Sequence, residues 1–294
     1  MGRDGGMKVF IFGAGYSGRA YGRLLAAQGI AADGTTRDRD KAEALRADGI
    51  TPHLFDGMMA GDDITEALAD TTHLVISIAP GPDGDPVLNV LREAIAAMPR
   101  LEWIGYLSTV GVYGNHDGEW VDEETECRPV SQRSVQRLAA EMAWQDFADE
   151  TKTPLAILRL SGIYGPGRNA FVNLEKGKAK RLIKPGQVFN RIHVEDIARA
   201  LDFLATRRLG GVFNVTDDEP APPQDVVEFA NSLMKVELPP AIDFENATIS
   251  PMARSFYGEN KRVSNAKLKR AGFAFVHGDY KSALSSMWTQ GNWR

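Results

Sequence analysis

Glycines at positions 13, 15 and 18 stand where an apolar run from Lys8 to Phe12 breaks and a helical pattern running to Leu25 begins. That order reads as strand, tight turn and helix. Gly13 permits the turn, Gly15 lets backbone N–H groups approach a diphosphate with no Cβ in the way, and Gly18 allows the helix to lie close against the strand. The helix N-terminus, with Tyr16 and Ser17 in its first turn, then faces the negative charge. The chemistry implied is the holding of a dinucleotide.

The type of dinucleotide is argued from the end of the second strand, in Ala31-Ala-Asp-Gly-Thr-Thr-Arg-Asp-Arg39. An acidic side chain there accepts from an adenosine ribose 2′-OH, whereas an arginine meets a 2′-phosphate. Asp33 lies near the distance expected for the acid, but it precedes Gly34 and fits equally inside the strand or at a turn. Thr36 and Arg37 make the better phosphate pocket, because a guanidinium offers forked donors to phosphate oxygens. The expected cofactor is NADP, with NAD as the alternative. A flavin or adenosyl compound in the same crevice is the remaining ligand reading.

These residues need a scaffold, and the rest of the chain supplies its signals. Strand-like runs at 31–35, 50–54, 73–78, 103–108, 155–160 and 212–215 alternate with segments at 41–47, 86–98, 135–147 and 195–204 that carry apolar residues at helical spacings. The pattern predicts an α/β protein, a Rossmann-type doubly wound parallel sheet with helices on both faces and a small C-terminal substrate-binding annex. With 294 residues, 43% hydrophobic and 25% charged, the chain can bury a large core, and its net charge of −5 gives no electrostatic case for a nucleic-acid partner. The single cysteine, Cys127, cannot form an internal disulfide, which fits a reducing compartment. No apolar run approaches the roughly 20 residues of a membrane span, and Met1–Gly6 lacks the apolar region of a secretion signal. A cytoplasmic protein with no membrane or nucleic-acid partner is expected, and no metal-binding set.

Four further segments carry a family resemblance. Leu107-Ser-Thr-Val-Gly-Val-Tyr-Gly114, Arg159-Leu-Ser-Gly-Ile-Tyr-Gly-Pro-Gly-Arg168, Arg191-Ile-His-Val-Glu-Asp-Ile-Ala198 and Gly211-Val-Phe-Asn-Val-Thr-Asp-Asp218 follow the glycine turn in order. The chain resembles an extended short-chain dehydrogenase/reductase of the NAD(P)-dependent epimerase/dehydratase type over nearly its whole length. The resemblance implies a core formed by 1–164 plus 189–218 and an annex formed by 165–188 plus 219–294.

The resemblance also exposes a departure. In the family a Ser or Thr after the fifth strand orients the substrate, and a Tyr and a Lys four residues apart on the next helix exchange the proton and hold the nicotinamide ribose. Thr109 matches the hydroxyl, with Ser108 beside it. Aligning Leu138-Ala-Ala-Glu141 with the family places Arg133 where the Tyr is expected and Arg137 where the Lys is expected. A guanidinium stays protonated and cannot cycle a proton at neutral pH as a phenol beside a cation can. Arg137 could still hold a ribose or a phosphate. The chain thus resembles the atypical branch of the family, which lacks the Tyr/Lys pair.

Two tyrosines are candidate replacements: Tyr113, beyond the fifth strand, and Tyr164, beyond the sixth, at the strand ends where ligands of open α/β sheets bind. Tyr113 competes for that role with a place in the cleft wall, and Tyr164 with packing beside the nicotinamide. His193 titrates near neutrality when unperturbed, but its family counterpart fastens the annex, and Asp196 caps or anchors the helix that follows. The resemblance brings Asp56 to the adenine, Ile78, Ala79 and Pro80 to the ribose and diphosphate, and Leu160, Ser161 and Ile163 to the nicotinamide, each with strand-end packing as the competing role. Arg168, Asn190, Arg191 and the lysine-rich run 176–184 hint at an anionic ligand, although a solvated face explains the run equally. The expected activity is an NADP-dependent reductase, epimerase or dehydratase acting on a polar small molecule such as a nucleotide sugar. The alternative is a catalytically silent NADP(H) sensor. The resemblance is compatible with a homodimer through helices such as 86–98 and 135–147.

Overall fold

The first strand, β1 (Lys8–Phe12), has Val9, Phe10, Ile11 and Phe12 fully buried, which is the mark of a strand covered on both faces. A computed structural model describes residues 6–294, so Met1–Gly5, most of the stretch without an apolar signal region, lie outside the described residues. After β1 come α1 (Tyr16–Ala27), β2 (Ala31–Thr36), α2 (Ala42–Ala47), β3 (Ile50–Leu54), α3 (Asp62–Asp70), β4 (His73–Ile76), α4 (Pro86–Ala96), β5 (Trp103–Thr109) and α5 (Gln132–Thr151). Strands Leu155–Leu160 and Gly211–Val215 complete a seven-stranded sheet of order β3-β2-β1-β4-β5, then Leu155–Leu160, then Gly211–Val215. The pairings β1 with β2, β1 with β4, β2 with β3 and β4 with β5 are all parallel. The order reverses at β1, so the glycine turn leaves the sheet at its switch point.

Several elements differ from the expectation. Helix α3 fills a stretch with no sequence reading, its Ile64 and Leu68 buried against Phe55 and Leu74. Helix α5 runs beyond 135–147 at both ends, because polar residues extend its backbone ladder past the apolar stripe. Strand β4 ends at Ile76 rather than 78. Ser77 N–H still donates to the Phe12 carbonyl at 2.8 Å, and Ile78 then turns beneath Gly13.

The chain divides into two compact units. The first comprises residues up to Thr109, Gln132–Arg159 and Ile197–Phe213, and the second Val110–Ser131, Leu160–Asp196 and Asn214–Arg294. The expected annex falls wholly in the second unit, which also takes 110–131, 160–164, 189–196 and 214–218. One core of the second unit packs helices Ala170–Glu175, Pro223–Met234 and Tyr280–Gln290 through Phe171, Leu174, Ala230, Leu284 and Met287. The last of these helices buries Tyr280, Ala283, Leu284 and Met287. Among the described residues no helix is long and apolar enough to cross a membrane.

Candidate functional site

The glycine turn is built by its neighbours. Gly13 takes φ +86°, and a Cβ there would meet Ile78 Cγ1 at 2.8 Å and Ile78 N at 3.0 Å, so only glycine fits. Thr35, buried in β2, pins the turn by accepting from Gly13 N–H through Oγ1 at 2.8 Å and from Ala14 N–H through its carbonyl at 2.9 Å. A Cβ at Gly18 would press on the Gly13 carbonyl and on Ile11 Cγ2, each at 3.1 Å, which is the close helix-to-strand contact the spacing predicts. Gly15 is different. It is exposed, no described residue beyond its chain neighbours lies within 4 Å of a Cβ built on it, and it stands at the N-cap of α1 with no side-chain cap and no acidic residue in the first turn. The open space over an uncapped helix N-terminus is shaped for an anion. Tyr16 and the buried Ser17 form the first turn beside it.

At the adenosine end, Asp33 lies inside β2 and only 6% exposed, held by His53 Nε2 at 2.9 Å and Lys8 Nζ at 3.4 Å. It is an internal anchor, which removes it as a ribose acceptor. Asp63 closes the other side of His53, its carboxylate 2.6 Å from Nδ1. The Asp33 hydrogen bond, aided by Asp63, holds the His53 pKa above its ordinary value despite burial. Thr36 ends β2, its Oγ1 accepting from Asp38 N–H at 3.2 Å, and Arg37 is the first residue outside the strand, exposed. Asp56, just past β3, is exposed and accepts from Met58 N–H at 2.8 Å.

At the ends of β4 and β5, Arg137 reaches from α5 and donates through Nη1 to the Leu107 carbonyl at 2.9 Å and the Tyr106 hydroxyl at 3.2 Å, with a longer contact to the Ile78 carbonyl at 3.5 Å. It thereby ties together the strand ends to which Ile78, Ala79, Pro80, Ser108 and Thr109 belong. Arg133, one turn earlier, is exposed. Ser108 donates its hydroxyl to Glu141, and Glu141 takes a forked bond from Arg159, with Nη2 to Oε2 at 2.8 Å and Nε to Oε1 at 3.2 Å. All three are buried, so the Ser108 side chain is used inside the fold. Sequence reasoning missed this network. Glu141 served only to align the helix, and the acid on an otherwise apolar face was the available signal.

In the second unit Tyr113 is fully buried and donates to Asn214 Oδ1 at 2.8 Å. Asn214 is itself fixed by Glu123, which accepts from its N–H, and by the Ser264 carbonyl. Tyr164 is 9% exposed, its hydroxyl has no hydrogen-bond partner among the described residues, and burial, with Asp217 nearby, drives its pKa far above that of a free phenol. Both phenols are thus held neutral or engaged. Ser161 N–H donates to the Val215 carbonyl at 3.3 Å, the buried Leu160 ends its strand, and Ile163 lies in the short strand Gly162–Tyr164 paired with Arg191–His193.

Two residues expected to bring positive or polar character to a ligand are occupied internally. Asn190 is buried, donating to the Lys261 carbonyl at 3.0 Å and accepting from Val263 N–H at 2.8 Å. Arg191 donates to the carbonyls of Phe189 and Ala221, and burial lowers its pKa. The polar groups had the right types, but the fold spends them on its own backbone. Lys180, Arg181 and Lys184 of the basic run are likewise paired, with the Thr248 carbonyl, with Glu228 and the Pro239 carbonyl, and with the Tyr257 carbonyl. Arg168 is exposed. Asp217 is buried, which pushes its pKa up to about 8, and His193 is pushed down to about 4 by burial and then by the charge of His277.

Comparison with known proteins agrees with this fold. A conserved protein of unknown function from Silicibacter pomeroyi DSS is 46% identical, with 97% of this chain and 99% of that one superposed at a TM-score of 0.88. Protein YeeZ of Escherichia coli K12 is 28% identical over 283 residues, 92% of this chain and 97% of YeeZ. The UDP-N-acetylglucosamine 4-epimerase from Bacillus cereus shares the fold at a TM-score of 0.75 and 16% identity, over 97% of this chain and 99% of that one. The sequence profile of the NAD dependent epimerase/dehydratase family matches residues 9–216, from β1 through the last strand of the sheet, and the chain belongs to that family.

Proposed function

We propose that this chain is an NADP-dependent oxidoreductase of the epimerase/dehydratase type acting on a polar, anionic small molecule such as a nucleotide sugar. The observation that carries the cofactor half is Gly15, whose missing Cβ leaves open space over the uncapped N-terminus of α1. The residues fit the group: Gly13, Gly15, Tyr16, Ser17 and Gly18 would hold the diphosphate, Thr36 and Arg37 the 2′-phosphate, and Arg137 the nicotinamide ribose. When bound, the nicotinamide supplies or accepts a hydride. Thr109 would orient the reacting oxygen of the substrate. Arg133 and Arg137 would supply fixed positive charge rather than a proton, because a guanidinium keeps its proton at neutral pH.

The nucleotide-sugar reading draws on fold neighbours of 15–18% identity, among them the Bacillus cereus UDP-glucuronic acid 4-epimerase in complex with UDP-glucuronic acid and NAD. Calorimetry with NADPH and NADH tests the cofactor. Gly15→Val is expected to abolish the heat while leaving the fold intact, and Arg37→Ala to weaken NADPH by about 10- to 100-fold with little effect on NADH, as charged hydrogen bonds are lost. Equal affinity for both coenzymes in wild type and Arg37→Ala would remove the NADP preference.

A second reading, a cofactor-binding sensor without turnover, is favoured by the engagement of Tyr113 with Asn214 and of Arg137 with the Leu107 carbonyl. The two readings separate in one assay. Turnover of carbonyl compounds or nucleotide sugars that falls in Thr109→Ala supports the enzyme, and NADPH binding without turnover supports the sensor.

A further inference from the structure

We propose that His193, Glu195 and His277 form a binding site for one zinc-type divalent cation. His193 ends the strand Arg191–His193, Glu195 stands in the first turn of the helix Val194–Thr206, and His277 lies in the segment before the terminal helix. One ligand atom from each lies within 4.8 Å of the others, and this is the group of metal-capable side chains found among the described residues. The imidazole rings are 3.9 Å apart between centroids, and His277 Nε2 is 2.9 Å from Glu195 Oε2. Tetrahedral zinc with bonds of about 2.0–2.1 Å sets its ligands roughly 3.4 Å apart. The 2.9 Å spacing lies below that value and the 4.8 Å limit above it, so closing the set would take small side-chain adjustments.

Hydrogen bonding alone accounts for two of the three groups. Among the described residues it leaves His193 Nε2 without a partner in a side chain only 3% exposed, and buried polar nitrogens are rarely left so. Its other nitrogen, Nδ1, has only a long 3.3 Å contact from the Glu195 N–H. Cation binding at Nε2 shifts the His193 proton to Nδ1 and gives up that contact. The backbone of the third ligand is already fixed, because the carboxylate of Asp196 accepts from Val276 N–H at 2.9 Å and His277 N–H at 2.8 Å. Two histidines and a carboxylate are a ligand set of open zinc sites, and the exposed Glu195 leaves the fourth position to water. All the groups belong to the second unit, and the ion would fasten the segment around His277 to the first turn of that helix.

The test is titration of metal-stripped full-length protein with zinc chloride, and with cobalt(II) chloride to read tetrahedral coordination in the visible spectrum. About one equivalent is expected to bind, with Glu195→Gln and His277→Asn each weakening it by at least 10- to 100-fold and His116→Gln leaving it unchanged. Glu195 is exposed, so its variant tests the site without disturbing the core, and circular dichroism verifies that His277→Asn is folded. Failure of the wild type to take up a stoichiometric ion, or unchanged uptake in the two ligand variants, would overturn the site.

Discussion

Arg137 Nη1 donates to the Leu107 carbonyl at 2.9 Å, so helix α5 is tied to the backbone of the strand that carries Thr109. The same guanidinium meets the Tyr106 hydroxyl at 3.2 Å. Arg137→Ala is therefore expected to lower stability by about 1–3 kcal/mol even without cofactor, because acceptors at a strand end lose a charged donor. Chemical denaturation of the cofactor-free protein measures this, and an unchanged midpoint would show the contact to be idle.

Tyr113 is expected to act through structure. Its hydroxyl donates to Asn214 from a fully buried ring, so Tyr113→Phe leaves the Asn214 oxygen short of a donor and costs about 1–2 kcal/mol. Turnover per folded molecule is expected to stay within a few-fold of wild type. A loss of turnover with unchanged thermal stability would restore the phenol as an acid/base.

Glu141 and Arg159 form a buried ion pair in the first unit, with side chains 4% and 7% exposed. Glu141→Ala strips the carboxylate from a buried guanidinium and is expected to destabilise by about 3–5 kcal/mol, whereas the double replacement Glu141→Met with Arg159→Met recovers most of that loss. Unfolding curves of Glu141→Met, Arg159→Met and the double variant give the coupling. Simple additivity would contradict it.

His53 makes stability depend on pH. Its folded pKa is raised, chiefly by the Asp33 hydrogen bond, so its contribution is fully present below the unfolded value of about 6.5 and fades as pH rises through the higher folded value. The difference in melting temperature between wild type and His53→Gln is expected to be largest near pH 6 and to shrink toward pH 8.5. A difference that grew with pH would reverse the sign.

The sequence by itself determined what depends on neighbours in the chain. The glycine spacing from 13 to 18, the alternation of strands and helices and the Rossmann fold were legible because turn chemistry and apolar periodicity act over a few residues, and the family was legible through the resemblance carried by four short segments. Only the tertiary structure decided how the polar groups are used. Tyr113 meets Asn214 across 101 positions, Ser108 meets Glu141 across 33, and Asp196 fixes His277 across 81. Asp33, Asn190 and Arg191 had side chains suited to a ligand, yet the fold turns them onto its own interior. A buried polar group must find a partner wherever packing places one, and packing is set by the whole chain.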